Sequence, residues 1–161
     1  MSGERHANAD RAEPESARGD LSRFQIGHLD VLRYALAIGL QRPDLIAQYR
    51  EPDCQGANAP VTFYVALGQA AGRLVDRDEL APDGLPLAED HGGLRLTAGE
   101  CHVTVARAIR VGEVISVRRS LLGQACKAGR SGPFAVQFLR RSYADEAGNV
   151  VVSEDYSRIL R

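Results

Sequence analysis

The sequence predicts an α+β fold in which a long antiparallel sheet wraps around one apolar helix. A mostly apolar pattern with helical spacing occupies residues 58–74, and four strand patterns separated by short turns fill residues 100–160. A helix that is apolar on nearly every side needs to be enclosed, and a twisted sheet with one apolar face can enclose it. The length of 161 residues suits a single core.

Composition and charge narrow the class of protein. Apolar residues make up 44% of the chain, and 20 basic residues nearly balance 21 acidic ones, so no sequence-wide field favours nucleic acid. No apolar run is long enough for a membrane span, and residues 1–20 lack the apolar region of a signal peptide. We therefore expect a cytoplasmic protein with a disordered tail at residues 1–20 and one domain at residues 21–161.

The first elements of that domain are a short strand and a helix. Leu21 to Ile26 has the composition of a strand. Residues 28–38 form a helical pattern that ends at Gly39, and its apolar face contains Leu29, Leu32 and Leu36 with Ala35 beside them. Residues 40–59 include two prolines and a glycine, and this spacing predicts an irregular loop.

The central helix is predicted to begin near Pro60, whose missing N–H costs nothing in a first turn. Its largest residues fall on one stripe, which contains Phe63, Leu67, Ala70 and Leu74. Gly68 and Gly72 lie one turn apart and remove side chains from one edge of the helix. This pattern predicts a closely packed neighbour along that edge.

The second half of the chain has the alternating pattern of strands. Residues 76–93 are rich in proline, glycine and acidic residues, and they predict a surface connection. Strands are then predicted at residues 100–106, 114–122, 134–143 and 150–160, with turns at 128–133 and 145–149. Cys101, Val103 and Val105 alternate along the first of these strands, and Phe134, Val136 and Phe138 share one face of the third. Strands joined by short turns form an antiparallel sheet, so the arrangement predicted is a hot-dog fold.

Short motifs in this order resemble those of the MaoC-like dehydratases. They are Tyr34-Ala-Leu-Ala-Ile-Gly39, Ala59-Pro-Val-Thr-Phe63, Ile109-Arg-Val-Gly-Glu113 and the strand pair that ends near Arg161. The chain is most similar to the N-terminal-half branch of that family, which is related to the dehydratase region of fungal fatty acid synthase, over about residues 21–161. This resemblance implies a hot-dog protein that dimerises side by side and needs no cofactor. It also implies an acyl thioester of coenzyme A or of an acyl carrier protein as the ligand.

The family's catalytic loop follows the first helix and reads Gly-Asp-x-Asn-Pro-x-His, in which Asp and His transfer protons. Aligned on Gly39 and Pro43, this chain places Leu40 at the Asp position and Leu45 at the His position, with Arg42 in place of Asn. Leucine cannot transfer a proton, and such transfer contributes about 10²- to 10⁴-fold to a rate. The loop is therefore predicted to be inert, and only a one-residue slip would let Asp44 act instead.

The binding half of the site is retained in the sequence. In the family the thioester carbonyl lies against backbone N–H groups at the start of the central helix, where the helix dipole favours negative charge. The matching residues are Pro60, Val61, Thr62 and Phe63. The alternative interpretation is that these residues simply begin a helix and bind no ligand.

Other reactive residues are interpreted as structural. Glu113 stands where the family usually has Asp, and a turn role is expected for it. His91 and His102 are isolated, so exposed or locally bonded imidazoles are expected. Three separated cysteines without metal-ligand spacing predict reduced, buried thiols and no metal site; they are Cys54, Cys101 and Cys126.

The resemblance therefore implies a subunit of a (3R)-hydroxyacyl-thioester dehydratase or enoyl hydratase that does not itself catalyse. A catalytic hot-dog protein is the expected partner in a heterodimer, and the alternative is a homodimeric acyl-thioester-binding or regulatory protein. A hot-dog thioesterase is disfavoured because the nearest acidic residues, Asp76 and Asp78, lie beyond the end of the central helix. Neither nucleic acid nor a membrane is an expected partner.

Overall fold

A computed structural model of the protein describes residues 21–73 and 96–161. The first range contains strand β1 (Leu21–Gln25), helices α1 (His28–Ala37) and α2 (Pro43–Arg50), a 3₁₀ turn (Val61–Phe63) and helix α3 (Tyr64–Arg73). The second contains strands β2 (Leu96–Val105), β3 (Val114–Gly129), β4 (Gly132–Ala144) and β5 (Val150–Leu160). The predicted tail at 1–20 and the predicted connection at 76–93, which includes His91, Asp76 and Asp78, lie outside the described residues.

The five strands form one antiparallel sheet in the order β1-β3-β4-β5-β2, which confirms the predicted sheet. β3 and β4 extend further than predicted, because Gly129 pairs with Gly132 across a two-residue turn. The positive φ of Gly132, 117°, suits that tight connection. β2 lies at one end of the sheet and pairs only with β5 among the described strands.

The core lies between the inner face of the sheet and helices α1 and α3. The sheet contributes apolar residues near one end of its strands, the two helices contribute Val31, Ala35, Leu67 and Ala71, and the 3₁₀ turn contributes Phe63. Phe63 and Leu67 are almost fully buried, so the face with the predicted stripe is enclosed, whereas Val65 on another side of α3 is 37% exposed. None of the helices in residues 21–73 and 96–161 is long and apolar enough to span a membrane.

Helix α1 turns only part of its predicted apolar face to the core. Leu29 and Leu36 are 47% and 56% exposed, whereas Val31 and Ala35 are fully buried. The small side chain of Ala35 lets the helix approach the core closely, and Tyr34 beside it reaches the start of the central helix. The predicted face is therefore right for Ala35 and for Leu32, which packs against the core, and wrong for Leu29 and Leu36.

The irregular loop predicted for residues 40–59 is wrong over α2. Pro43 occupies the first turn of that helix, where proline is compatible with helical geometry rather than disruptive. Asp44 in the same turn is favoured by the helix dipole. α2 ends against the core through Tyr49, which is 1% exposed.

The predicted burial of the cysteines is wrong for two of them, and the buried face of β4 is the one that its alternation did not identify. Cys101 and Cys126 are exposed, because the first lies on the edge strand β2 and the second near the β3–β4 turn; Cys54 is partly buried, and all three thiols are free. Phe134, Val136 and Phe138 do share one face of β4, but Leu139 and Tyr143 on the opposite face are more deeply buried, and Phe138 is 44% exposed. Alternation identified the strand without identifying its inner face.

Candidate functional site

A cleft of about 480 Å³ opens between α2 and the segment that leads into the central helix. Its lining consists mainly of apolar side chains and backbone from three short stretches: Leu40, Arg42, Leu45, Gln48, Tyr49, Gly56, Ala57, Asn58, Ala59 and Pro60. The structure thus brings Leu40, Leu45 and Pro60, which are distant in the predicted loop and helix, onto one surface. Such a cleft falls in the size range of small-molecule sites.

The back wall of the cleft is held by main-chain hydrogen bonds. The Ala59 N–H donates to the Ile109 carbonyl at 2.8 Å, and the Val111 N–H donates to the Ala57 carbonyl at 2.9 Å. The buried Tyr49 hydroxyl donates to the Asn58 carbonyl at 2.7 Å. The sequence interpretation missed Tyr49 because it depended on α2, whose apolar spacing of Leu45, Ile46 and Tyr49 was the available signal.

Leu40 and Leu45 are half-buried and pack against the core. Between them in sequence, the Arg42 guanidinium binds Asp44 through two hydrogen bonds of 3.0 and 2.6 Å. These bonds lower the pKa of the exposed Asp44 carboxyl below its ordinary value. A carboxylate with a lowered pKa is a weaker base, and this one does not line the cleft.

At the start of the central helix, some backbone N–H groups are already hydrogen-bonded and others are not. The Phe63 N–H donates to the Pro60 carbonyl at 2.8 Å, and the Phe63 ring is buried with its edge against Tyr34, 5.4 Å between centroids. The Tyr34 hydroxyl donates to the Thr62 carbonyl at 2.7 Å. The backbone N–H groups of Val61 and Thr62 have no acceptor among the described residues. Of the predicted donors, these two are available to a ligand.

Glu113 stabilises a turn, as predicted. Its carboxylate accepts the Arg110 main-chain N–H at 3.0 Å and binds the Arg107 guanidinium at 2.9 Å. Arg107 also binds Asp145 at 3.2 Å, which ties this turn to the β4–β5 connection. Glu113 is not among the residues that line the cleft.

His102 is exposed on β2, opposite Asp155 of β5, as the sequence suggested for an isolated imidazole. Within the two described ranges, no group of three or more His, Cys, Asp and Glu side chains could hold a metal ion.

A second polar group lies under α3, away from the cleft, and we call Arg141, Tyr143 and Glu154 the inner-face cluster. Glu154 accepts hydrogen bonds from the Tyr143 hydroxyl at 2.6 Å and from Arg141 at 2.9 Å. Burial, together with the hydrogen bond to Glu154, raises the pKa of Tyr143. Gly68 of α3 lies directly over this cluster: a Cβ at Gly68 would be 2.6 Å from the Tyr143 hydroxyl oxygen. The close neighbour predicted beside Gly68 is therefore a pair of side chains.

Comparison with protein families places the chain. The family model described as FAS1-like, dehydratase domain region matches residues 19–154. The chain belongs to this family. The matched residues of this FAS1-like dehydratase-region protein include the cleft and most of the sheet. A search of curated proteins found no match.

Solved structures support the fold of the family member. The ChsH1-ChsH2 complex from Mycobacterium tuberculosis is 19% identical, with a TM-score of 0.61 and coverage of 88% of this chain and 82% of that one. A C-terminally truncated HadBC (3R)-hydroxyacyl-ACP dehydratase complex from the same organism is 15% identical, with a TM-score of 0.56 and coverage of 90% and 97%. A MaoC-like dehydratase from Rhodospirillum rubrum is 20% identical, with a TM-score of 0.56 and coverage of 88% and 90%. The predicted α+β hot-dog fold is confirmed.

Proposed function

We propose that this chain is the non-catalytic subunit of a cytoplasmic (3R)-hydroxyacyl-thioester dehydratase or enoyl hydratase. In this proposal it binds part of the acyl thioester beside a catalytic hot-dog partner. The observation that carries the proposal is the cleft itself, which brings Leu40 and Leu45 together with Pro60, the residue that precedes the available N–H groups of Val61 and Thr62.

The cleft lacks the chemistry of proton transfer. Adding water to an enoyl thioester requires one group to take a proton from water and another to give a proton to carbon. Among the residues that line the cleft, none has an ordinary pKa between 5 and 8. Asp44 does not compensate, because its carboxylate is exposed and bound to Arg42.

The same cleft retains features that suit binding. Leu40, Leu45, Ala57 and Ala59 offer an apolar surface to an acyl group. The Val61 and Thr62 N–H groups follow Pro60, which lines the cleft, and can donate hydrogen bonds to a carbonyl oxygen. A subunit with this surface can position the acyl thioester without transferring protons.

A catalytic partner is supported by one edge of β2, which is unpaired among the described strands. β2 is ten residues long and exposes most of its side chains between Thr97 and Val105. Natural proteins cover such an edge, and continuing the sheet into a second subunit does so. The names of two structural relatives, HadBC and ChsH1-ChsH2, describe complexes of two proteins.

Activity and association test the proposal together. The isolated chain should not hydrate a 2-enoyl thioester above background, and Asp44→Ala should change nothing. Co-expression with candidate hot-dog proteins, followed by size-exclusion chromatography, should yield a heterodimer that is more active than the partner alone. Clear activity of the isolated chain that disappears in Asp44→Ala would contradict the inert loop.

The second candidate is a homodimeric protein that binds an acyl thioester or regulates a synthase. The same cleft supports this function if the cleft can bind a ligand without a partner subunit. A chain that remains a homodimer with every candidate, and that never raises a partner's activity, would support this function instead. The described part of α3, Tyr64–Arg73, contains no carboxylate that could activate water for a thioesterase.

A further inference from the structure

We propose that Tyr34 is a positioning residue, whose hydroxyl holds the turn that presents the Val61 and Thr62 N–H groups to the ligand. This inference rests on the proposed function, because it assumes that these two N–H groups contact the carbonyl oxygen of an acyl thioester. It gives a role to the first residue of the motif Tyr34-Ala-Leu-Ala-Ile-Gly39, which is not itself among the residues that line the cleft.

Tyr34 reaches this turn from a helix that is fixed against the core. Val31 and Ala35 of the same helix are both 0% exposed. The Tyr34 ring is half-buried, and it meets the Phe63 ring edge to face, with 5.4 Å between centroids and an angle of 81° between the planes. The hydroxyl is therefore brought to Thr62 by a side chain that has little freedom to move.

Two hydrogen bonds fix two of the three peptide units in the turn. The unit between Thr62 and Phe63 is held at both ends, because its carbonyl accepts the Tyr34 hydroxyl at 2.7 Å and its N–H donates to the Pro60 carbonyl at 2.8 Å. The second of these bonds also fixes the unit between Pro60 and Val61, to which the Pro60 carbonyl belongs. In a trans peptide unit the N–H points away from the carbonyl oxygen, so the Val61 N–H points out of the turn.

The Thr62 N–H belongs to the remaining unit, between Val61 and Thr62. The direction of this unit depends on the two fixed units on either side of it. Donors that are oriented before the ligand arrives stabilise a carbonyl oxygen without first having to reorganise. Loss of the Tyr34 hydroxyl should therefore weaken the contact with the carbonyl and leave the apolar surface of the cleft unchanged.

The test uses two ligands that differ only at the carbonyl. Butyryl-pantetheine carries the thioester carbonyl, and S-butyl-pantetheine has a methylene group in its place. Calorimetric titration of the full-length chain should show about 5- to 10-fold tighter binding of the thioester, the ratio that about one net hydrogen bond gives. Tyr34→Phe keeps the ring and removes the hydroxyl, and it should reduce this preference to about 2-fold or less.

Infrared spectroscopy adds a readout that a loss of stability alone does not change. The carbonyl stretch of isotope-labelled butyryl-pantetheine should move to lower frequency on binding, and this shift should be smaller in Tyr34→Phe. The matched control is Tyr143→Phe, which removes the hydroxyl of a buried tyrosine that donates to Glu154 at 2.6 Å, away from the cleft. This control should keep both the preference and the shift of the parent chain.

The pattern of results separates this inference from the function on which it rests. If Tyr34→Phe weakens the binding of both ligands equally, or keeps the full preference for the thioester, the positioning role is overturned and the thioester site stands. Equal binding of the two ligands by the parent chain would mean that the N–H groups do not contact the carbonyl, which also overturns the role of Tyr34. If the parent chain binds neither ligand, the thioester site and the inference are both contradicted.

Discussion

The cleft and the inner-face cluster differ in where they place ionisable groups. The residues that line the cleft include Leu40 and Leu45 but no carboxylate or imidazole, and the carboxylate of Asp44 is exposed and bound to Arg42. Under α3, by contrast, Glu154 is 8% exposed and bound to Arg141 and Tyr143. The buried ionic contacts of this cluster are therefore in a part of the molecule that does not line the cleft.

This difference shows that a buried ionic group is not by itself a sign of catalysis. Shifted pKa values occur both at active sites and in structural ion-pair networks. The inner-face cluster is closed by Gly68 of α3, and it does not line the cleft. We infer that its hydrogen bonds fix the central helix on the sheet, whereas the apolar cleft serves binding.

The largest expected effect is on stability, from the inner-face cluster. Glu154→Ala should lower the free energy of unfolding by about 3–5 kcal/mol, because it leaves Arg141 buried without its carboxylate partner. Denaturant titration measures this loss. The control is Asp155→Ala at the neighbouring position in sequence. It removes an exposed ion pair with Arg140 and should cost about 1 kcal/mol or less. Equal losses in both variants would mean that the cluster is not structural.

Gly68→Leu should cost about 1–3 kcal/mol or more, because the new side chain would overlap Tyr143 and Arg141. Thermal and denaturant unfolding give the value. Gly123→Ala in β3 is the comparison, because a Cβ there meets no atom within 4 Å. An unchanged melting temperature for Gly68→Leu would show that α3 is not enclosed as described.

Changes in the cleft should affect binding more than stability. Leu45→Ala should cost about 1–2 kcal/mol of stability, less than the 2–5 kcal/mol typical of fully buried leucines, because Leu45 is only half-buried. It should also weaken butyryl-pantetheine binding, since apolar contact is lost. Asp44→Ala should leave butyryl-pantetheine binding unchanged. A loss of binding in this variant would mean that Asp44 takes part in the site.

The smallest expected effect is that of pH. Butyryl-pantetheine binding should be constant between pH 5 and 8, because no cleft-lining group has an ordinary pKa in that interval.

The stability of the protein should also depend slightly on the ionisation of Asp44. Because the pKa of Asp44 is lowered in the folded protein, its stability contribution is present above the ordinary pKa of 3.8 and is lost as the pH falls below that value. Asp44→Asn should remove only this part of the acid dependence, as measured by unfolding at several pH values.

The sequence predicted the strands and the central helix well because their signals are local. Alternation marked β2 to β5, and the stripe of Phe63 and Leu67 marked the enclosed helix. Which face of each element turns inward depends on how distant elements pack, so Leu36 was placed on the apolar face of its helix although it is exposed, and alternation did not tell whether the shared face of Phe134 and Phe138 lies inside. The inner-face cluster was missed for the same reason: Arg141 and Glu154 become neighbours only through the β4–β5 register.

The cleft shows a second limit of the same kind. Leu40 and Leu45 could be singled out from the loop motif, but Tyr49 could not, because α2, the helix that brings it to the cleft, was predicted as an irregular loop. The sequence also could not tell which of the predicted N–H donors are available to a ligand. In the structure the Phe63 N–H is bonded within the turn, whereas the N–H groups of Val61 and Thr62 have no acceptor among the described residues.

The exposed edge of β2 has a consequence for how the protein is produced in the cell. Among the described strands one side of β2 is unpaired, ten residues of such a strand act as a template for other strands, and Val105 at its end is 39% exposed. If the proposed heterodimer forms, a chain made in excess of its partner would offer this edge to further copies of itself and to proteases that remove unassembled subunits. Under that proposal, the abundance of this chain in the cell should follow that of its partner.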